Sequence, residues 1–377
     1  MTRQQQQFLE LLRAGLWGIP ADIRLFQDDV DWRTILRIAK EQTVQVIVAD
    51  GIETLPQKIW PPKQAMLQLM MTRIKTQQLH QLLNATLNQI TEALNAEGIP
   101  SFLLKGQGVA QNYRLPESRM CGDIDLYVGT GNYPRACEIV KGLNTEEQTD
   151  TPESEQHMHL ELNGVTIEVH RIASTINQRS KAADFAEWTK AATSDAVTNG
   201  TGAGYDNLGT RINLPEETFN AFFILYHAVR HMFSEGVGFR QLCDWSMFLH
   251  RNHDKINAGE LQKKLKEYRL TAIWKEFSIL AHKVIGLPKE YIPFYPADDN
   301  SRKTGSLAKH IFISGNFGHY DSDRRDSREK NYLKRKWRSF RVQSSRLFKL
   351  SGLFPAFTLT YGWGWFTDSM KVFILNK

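Results

Sequence analysis

The stretch LLKGQGVAQNYRLPESRMCGDIDLYV, residues 103–128, decides the fold of this chain. It begins with apolar residues, turns at Gly106 and Gly108, and returns through a polar loop to a second apolar run. This order predicts a buried strand, a turn with a short helix, and a second strand. The second strand carries Asp123 and Asp125. Because residues two apart in a strand project to the same side, we expect the two carboxylates to lie together.

Two carboxylates held side by side repel each other unless a cation lies between them. Their hard oxygen atoms are the ligands that Mg²⁺ prefers, and Mg²⁺ commonly shares its coordination sphere with substrate phosphates. A bare Asp-x-Asp is a weak signal, however, because most such pairs are solvated strand ends or turns. The pair alone therefore leaves both a metal-phosphate site and a solvated strand end open.

A β-hairpin is predicted around Asn163-Gly164, since this dipeptide is the strongest short signal for a two-residue turn. The flanking segments, 157–162 and 165–170, alternate polar and apolar residues. A two-residue loop fixes the register of the two strands, so that His159 faces Glu168 across the hairpin. The apolar side chains then form one face and the polar side chains form the other.

The polar face of this hairpin supplies further candidate ligands, namely His157, His159, Glu161, Thr166, Glu168 and His170. Glu168 is expected on a strand next to the Asp-x-Asp strand, where it would act as a third carboxylate. Three imidazoles beside a carboxylate can also hold zinc. Hydrolytic zinc chemistry is therefore an alternative at the same face.

Taken together, these features resemble the polymerase-beta-type nucleotidyltransferase superfamily, and in finer detail an uncharacterised bacterial nucleotidyltransferase family. The similarity is carried by GIPSFLLKG (98–106), GDIDLYV (122–128), IEVH (167–170), HAVRH (227–231) and RQLCD (240–244), with Tyr113 and Arg119. It covers roughly residues 1–250. The chain departs from the wider superfamily at Gln107, where a serine often follows the glycine, and in the long gap between Gly106 and Asp123.

The resemblance implies an α+β protein with a small mixed-sheet nucleotidyltransferase core embedded in a largely helical chain. It implies a metal-dependent enzyme that moves a nucleoside monophosphate from a nucleoside triphosphate to an acceptor hydroxyl and releases pyrophosphate. Mg²⁺ or Mn²⁺ would be the cofactor, and ATP is the default nucleotide. The catalytic and metal-binding residues would be Asp123, Asp125 and Glu168. The nucleotide would be bound by Lys105, Gly106, Gln107, Arg119, His170, His227 and His231.

Three other functions stay open beside the enzyme. A degenerate fold that binds a nucleotide or a partner without turnover is motivated by Gln107 and by the long gap. Binding to nucleic acid or to an anionic membrane surface through the C-terminal segment also stays open, because residues 324–349 hold eleven Lys and Arg against two acids. Aromatic residues follow at 350–375, and they could instead pack onto the body of the protein.

Composition indicates an ordinary globular protein of two or three domains, with 377 residues, 41% hydrophobic and 23% charged. The net charge of +6 is local, since the segment 324–349 contributes +9 and the remainder −3. The three cysteines have no metal-ligand spacing and fit a reducing cytoplasm. The N-terminus lacks the apolar region of a signal peptide, and no apolar run reaches 18 residues. We expect a cytoplasmic protein, with peripheral attachment to the inner membrane as an alternative.

Four regions are predicted along the chain. Residues 1–98 form a helical region, 99–175 the α/β core, 176–300 a helical domain, and 301–377 the basic and aromatic C-terminal region. In the first, helices are expected at 4–16, from an Asp31 cap to about Val48, and at 63–96. A crossover helix is expected from Tyr133 to Leu143, after a loop at 129–132. The stretch 174–209 is expected to be an extended surface loop. Later helices are expected from Leu214-Pro215, at 239–250 and through 259–285.

Overall fold

The structure, a computed structural model, describes residues 1–144, 156–199, 202–316 and 332–375. Its α+β class confirms the expectation, because one mixed sheet is embedded in a chain whose described residues are mostly helical. The chain forms two compact units. The first comprises Met1–Lys63, Asn177–Ser180 and Ala221–Lys377, and the second comprises Gln64–Ile176 and Lys181–Asn220. The division into four regions stays a prediction. Within the described residues, no helix has the length and apolar character to cross a membrane.

The second unit is built on a sheet of six described strands. They are β1 (Phe102–Leu103), β2 (Asp123–Tyr127), β3 (His157–Leu162), β4 (Val165–His170), β5 (Gly204–Asn207) and β6 (Thr210–Asn213). Their order across the sheet is β3-β4-β2-β1-β6-β5. The pairs β2/β4 and β1/β6 are parallel, whereas the others are antiparallel. The first two strands flank the turn and α5 (Gln107–Ala110), in the order predicted.

One face of this sheet is apolar and packs against two helices, α4 (Lys63–Ala96) and α6 (Gly129–Gly142). The helix predicted at 63–96 is confirmed. The crossover helix begins earlier than predicted, because the loop expected at 129–132 forms its first turn. Ile124 and Leu126 of β2 are buried in this core, as expected for the residues that alternate with the two aspartates.

The β3–β4 hairpin has the predicted register, from Leu162 opposite Val165 to His157 opposite His170. Asn163 and Gly164 have φ of 56° and 74°. Positive φ at both turn residues is the requirement of the type I′ turn, which asparagine and glycine meet at low cost. The short loop therefore fixes which side chains share the polar face.

The expectation of an extended loop at 174–209 is wrong. The chain forms α7 (Ala182–Asn199) and the β5–β6 hairpin there. Phe185 and Trp188 of α7 pack against Phe219, with ring centroids 5.7 and 5.0 Å away. Buried aromatic contact stabilises this helix. The prediction of a loop rested on the glycine- and threonine-rich end of the stretch, residues 199–209.

The first unit is helical. Its helices are α1 (Arg3–Trp17), α2 (Trp32–Glu41), α3 (Gln45–Ile52), α8 (Glu217–Ser234, which begins in the second unit), α9 (Phe239–Asn252), α10 (Ala258–Glu267), α11 (Thr271–Leu280), α12 (Arg302–Ser314), α13 (Tyr332–Ser351) and α14 (Pro355–Leu375). Asp31 caps α2 as predicted, by accepting a hydrogen bond from the Thr34 amide. The helix expected to reach Val48 is interrupted, because Thr43 has a φ of 56° and a helix cannot continue through that conformation.

Candidate functional site

The second unit brings Asp125 and Glu168 side by side. They are paired residues on the parallel neighbours β2 and β4, so their side chains leave the same face of the sheet at the same level. Asp123 lies two residues earlier on β2, level with Thr166, and is half-buried. The polar face therefore carries two carboxylates in register and a third beside them.

Asp125 is the most enclosed of these acids, with 1% of its surface exposed. Its Oδ1 lies 2.9 Å from the Lys105 ammonium and 3.1 Å from Nε2 of His170. A carboxylate removed from water needs such partners, because burial without them strongly disfavours its charge. Lys105 follows β1, and the strand therefore delivers its ammonium to the neighbouring acid.

Glu168 is surrounded by histidines. Its carboxylate oxygens lie 3.2 Å from His170 Nε2, 3.4 Å from His159 Nδ1 and 3.7 Å from His157 Nε2. His170 thus contacts both acids through one nitrogen. We call Lys105, Asp125, His157, His159, Glu168 and His170 the charged cluster.

The pKa values in the charged cluster favour charged forms of the acids. Burial alone raises the pKa of Asp125, but Lys105 and His170 outweigh burial and hold the pKa well below its ordinary value. Burial likewise opposes the ionisation of Glu168, yet the hydrogen bond from His170 leaves its pKa lowered. Burial lowers the pKa of His170, while its bonds to the two acids raise the net value. The cluster therefore holds two carboxylates whose charge needs a positive neighbour.

The turn at Gly106 lies against the start of β2. Gly106 has a φ of 54°, and a Cβ atom placed on it would lie 3.0 Å from the carbonyl oxygen of Asp123. Any other residue would be strained in backbone conformation and crowded at this position. Glycine here therefore lets the turn approach the Asp-x-Asp strand closely.

Comparison with known families decides how this arrangement is classified. A family model described as "Uncharacterised nucleotidyltransferase" matches residues 28–286, which is more than half of the chain. The chain belongs to this uncharacterised nucleotidyltransferase family. Searches of curated proteins and of solved structures found no match. The bacterial origin and the wider polymerase-beta-type placement stay predictions.

In this family member, the residues of the polar face fit a divalent cation. Asp125 and Glu168 offer hard oxygen atoms from adjacent strands, Asp123 lies beside them, and the pair already attracts Lys105 and His170. That donor set suits Mg²⁺ or Mn²⁺. A second arrangement shares Glu168: ligand atoms of His157, Glu168 and His170 lie within 4.8 Å of one another. This mixed set suits a softer ion such as Zn²⁺.

The side chains of Gln107 and Arg119, two of the predicted nucleotide-binding residues, lie in a different set, which we call the buried polar cluster. It comprises His80, Asn84, Gln107, Arg119 and Cys121. The Gln107 amide nitrogen donates to Asn84 Oδ1 at 2.6 Å and contacts His80 Nδ1 at 3.2 Å. The other ring nitrogen of His80 lies 2.6 Å from the Arg119 carbonyl oxygen, and the Arg119 guanidinium donates to Cys121 Sγ at 2.7 Å.

This buried polar cluster ties α4 to the turn and to the loop that leads into β2. Arg119 is 5% exposed, which is unlike an arginine on an open surface. Burial raises the pKa of the Cys121 thiol, but Arg119 and His80 outweigh burial and lower the pKa overall. Burial lowers the pKa of His80, but the hydrogen bond to Cys121 leaves it raised. Sequence reasoning missed His80, although a histidine on the apolar stripe of α4 was a signal that could have identified it.

His227 and His231 lie on α8, in the first unit. Their Nε2 atoms are 2.9 Å apart, which confirms the expected shared helix face. Their binding to phosphate stays a prediction, as do the nucleotide-binding roles of the other residues named above.

Proposed function

We propose that this protein is a metal-dependent nucleotidyltransferase that transfers a nucleoside monophosphate from a nucleoside triphosphate to an acceptor hydroxyl. Family membership supports nucleotidyl transfer in general. The observation that carries the finer proposal is the register of Asp125 with Glu168, beside Asp123 and next to the Gly106 turn. Neighbouring carboxylates beside a close backbone turn suit a triphosphate bound through a cation.

In the proposed reaction the acceptor oxygen attacks the α-phosphorus and forms a new P–O bond. The bond from the α-phosphorus to the bridging oxygen breaks, and pyrophosphate leaves with its electron pair. Such chemistry needs mainly positioning and neutralisation of charge. A divalent ion, when bound, supplies charge neutralisation at the phosphates and lowers the pKa of a nearby hydroxyl.

Individual side chains take separate roles in this proposal. Asp123, Asp125 and Glu168 would hold the cation through their carboxylates. Glu168 is also partly exposed and ionised, so it would accept the proton of the acceptor hydroxyl. The Lys105 ammonium lies 2.9 Å from Asp125 Oδ1, and it would bind a phosphate oxygen. His170 orients the two acids by contacting both.

The test is release of pyrophosphate from each nucleoside triphosphate, with ATP as the first choice, in the presence and absence of Mg²⁺. Because the acceptor is unidentified, binding of a non-hydrolysable ATP analogue should be measured in parallel by calorimetry. We expect Mg²⁺-dependent binding and turnover that Glu168→Gln abolishes. Glu161→Gln is the matched control, since Glu161 lies on the same face of the same hairpin but is exposed.

The degenerate, non-catalytic alternative would be favoured if the protein binds the ATP analogue but releases pyrophosphate from none of the nucleoside triphosphates. Absence of Mg²⁺-dependent nucleotide binding in the full-length chain would overturn the proposal.

A zinc-dependent activity is the second candidate, and the grouping of His157, Glu168 and His170 is the observation that favours it. Removal of metal with EDTA, followed by separate addition of Mg²⁺ and Zn²⁺, distinguishes the two. His157→Gln should weaken a response to Zn²⁺ and leave a response to Mg²⁺ unchanged, because only the mixed site uses this imidazole. Equal loss of both responses would show that the two arrangements are one site.

A further inference from the structure

The last two described helices, α13 and α14, expose large apolar side chains to solvent. On α13, Trp337 is 67% and Phe348 is 82% exposed. On α14, Leu359 is 73% and Trp363 is 72% exposed. Isolated exposed apolar residues are ordinary, whereas a group of them on adjoining helices marks an interaction surface.

These exposed residues follow one stripe of α14. Ala356, Leu359, Trp363 and Phe366 recur at helical spacing and are exposed. The opposite stripe packs inward, where Phe357 and Tyr361 meet Phe233 with ring centroids 5.0 and 5.1 Å away. The sequence alternative in which the aromatics pack onto the body is thus correct for one face of the helix and wrong for the other.

Stacked rings join the two helices into one surface. Trp337 stacks on Phe340 with ring centroids 5.9 Å apart, and Phe340 stacks on Trp365 at 5.3 Å. We call the exposed set Trp337, Phe340, Phe348, Leu359, Trp363 and Phe366 the apolar face.

Cations accompany the apolar face. Residues 332–375 contain eight Lys and Arg against one acid. Lys334, Arg341 and Lys349 are exposed on α13. The remainder of the predicted basic segment, 324–331, lies outside the described residues. A partner of this surface must therefore offer negative charge beside an apolar region.

We propose that the apolar face of α13 and α14 docks on an anionic lipid membrane surface. Helices that lie in the membrane interface typically combine tryptophan and phenylalanine with flanking cations. The exposed stripe of α14 combines Leu359 and Ala356 with rings and carries no charge among Ala356, Leu359, Trp363 and Phe366. That stripe suits acyl chains better than a nucleic acid, which needs cations along the whole track of its phosphates.

The test is flotation of the full-length protein with phosphatidylcholine vesicles, with and without phosphatidylglycerol. We expect binding only to the vesicles that contain phosphatidylglycerol. Trp363→Ser/Phe366→Ser should weaken the partition coefficient by about tenfold or more, because two interfacial rings are lost. Arg341→Gln/Lys349→Gln should weaken it by about fivefold for each cation removed.

The matched control is Leu67→Ser/Met70→Ser, which removes two apolar side chains of similar exposure, 57% and 53%, from α4. It should leave vesicle binding unchanged. Far-UV circular dichroism checks that all variants stay folded, and the nucleotide assay above checks that the proposed active site is unaffected.

Three outcomes would overturn the membrane proposal. The first is that the α4 control loses vesicle binding as much as the α14 variant does. The second is that the protein binds a single-stranded oligonucleotide but no vesicles. The third is that the protein forms a dimer that disappears in the Trp363→Ser/Phe366→Ser variant. Because this inference does not depend on nucleotidyl transfer, failure of one proposal leaves the other intact.

Discussion

The charged cluster and the buried polar cluster begin from the same turn but differ in what they offer to a ligand. Lys105 contacts Asp125 in the first, and two residues later Gln107 contacts His80 and Asn84 in the second. Lys105 and Glu168 each keep 20% of their side chains exposed, whereas Gln107 and Arg119 are at most 5% exposed. The difference supports the proposal that the charged cluster carries the chemistry, whereas the contacts of the buried polar cluster connect the turn to α4.

The largest effect is expected from Asp125→Asn, which tests the chemical role of the charged cluster. Loss of one preorganised charge from a site lowers a rate by about a hundredfold to a thousandfold. Pyrophosphate release and analogue binding in Mg²⁺ measure the change, with Glu161→Gln as the control. A variant that keeps full turnover would show that the buried Asp125 is structural, and the distinction between the clusters would fail.

A large loss of stability, and not only of activity, is expected from Arg119→Ala in the buried polar cluster. The substitution leaves the Cys121 thiol without its guanidinium partner and opens a cavity, at a cost of about 3 kcal/mol. Urea unfolding measures the difference. Arg114→Ala, in the same loop but exposed, should change the free energy of unfolding little. Unchanged stability in Arg119→Ala would contradict the supporting role.

Gly106→Ala examines the turn that the clusters share. The positive φ and the nearby Asp123 carbonyl oxygen predict a loss of about 1–2 kcal/mol. Gly131→Ala is the control, since a Cβ atom there meets nothing within 4 Å and the residue lies inside α6. If both variants unfold at the same urea concentration, the close approach of the turn to β2 is not a constraint.

The smallest effect is a pH dependence from His80. Its pKa is raised in the folded protein, so a proton on His80 stabilises the fold. That contribution is fully present below about pH 6.5, the ordinary value, and is lost as pH rises through the raised pKa. The difference in unfolding free energy between the wild type and His80→Gln should therefore narrow as the pH rises. If the difference in unfolding free energy between the two proteins stays constant with pH, the pKa of His80 is not raised by folding.

The sequence was sufficient for the charged cluster because its geometry is local. Asn163-Gly164 fixes the hairpin, the alternation of β4 fixes the side of Glu168, and the same rule places Asp123 and Asp125. Lys105, which lies two residues after the end of β1 and completes the cluster, was also among the residues named. The hairpin also led us to expect Glu168 on a strand next to the Asp-x-Asp strand, and the pairing of β2 with β4 confirms this.

The buried polar cluster could not be predicted in the same way. His80 meets Arg119 across 39 positions of sequence, and periodicity on a long helix does not state which loop its buried face will contact. Gln107 was expected to bind phosphate through its backbone amide and Arg119 through its position before β2. Neither expectation states which neighbours their side chains contact. The missed α7 has a similar cause, since tertiary contacts of Phe185 and Trp188 outweigh the composition of its surroundings.

Parallel pairing of β2 with β4 also has a kinetic consequence for this protein. The chain between β2 and β4 includes α6 and β3, so the pairing that brings the two acids together closes a long loop. During synthesis or refolding, Asp125 would therefore exist for a time without Glu168. Competence to bind a divalent ion should be acquired late, after the helices, whose contacts are local, have already formed.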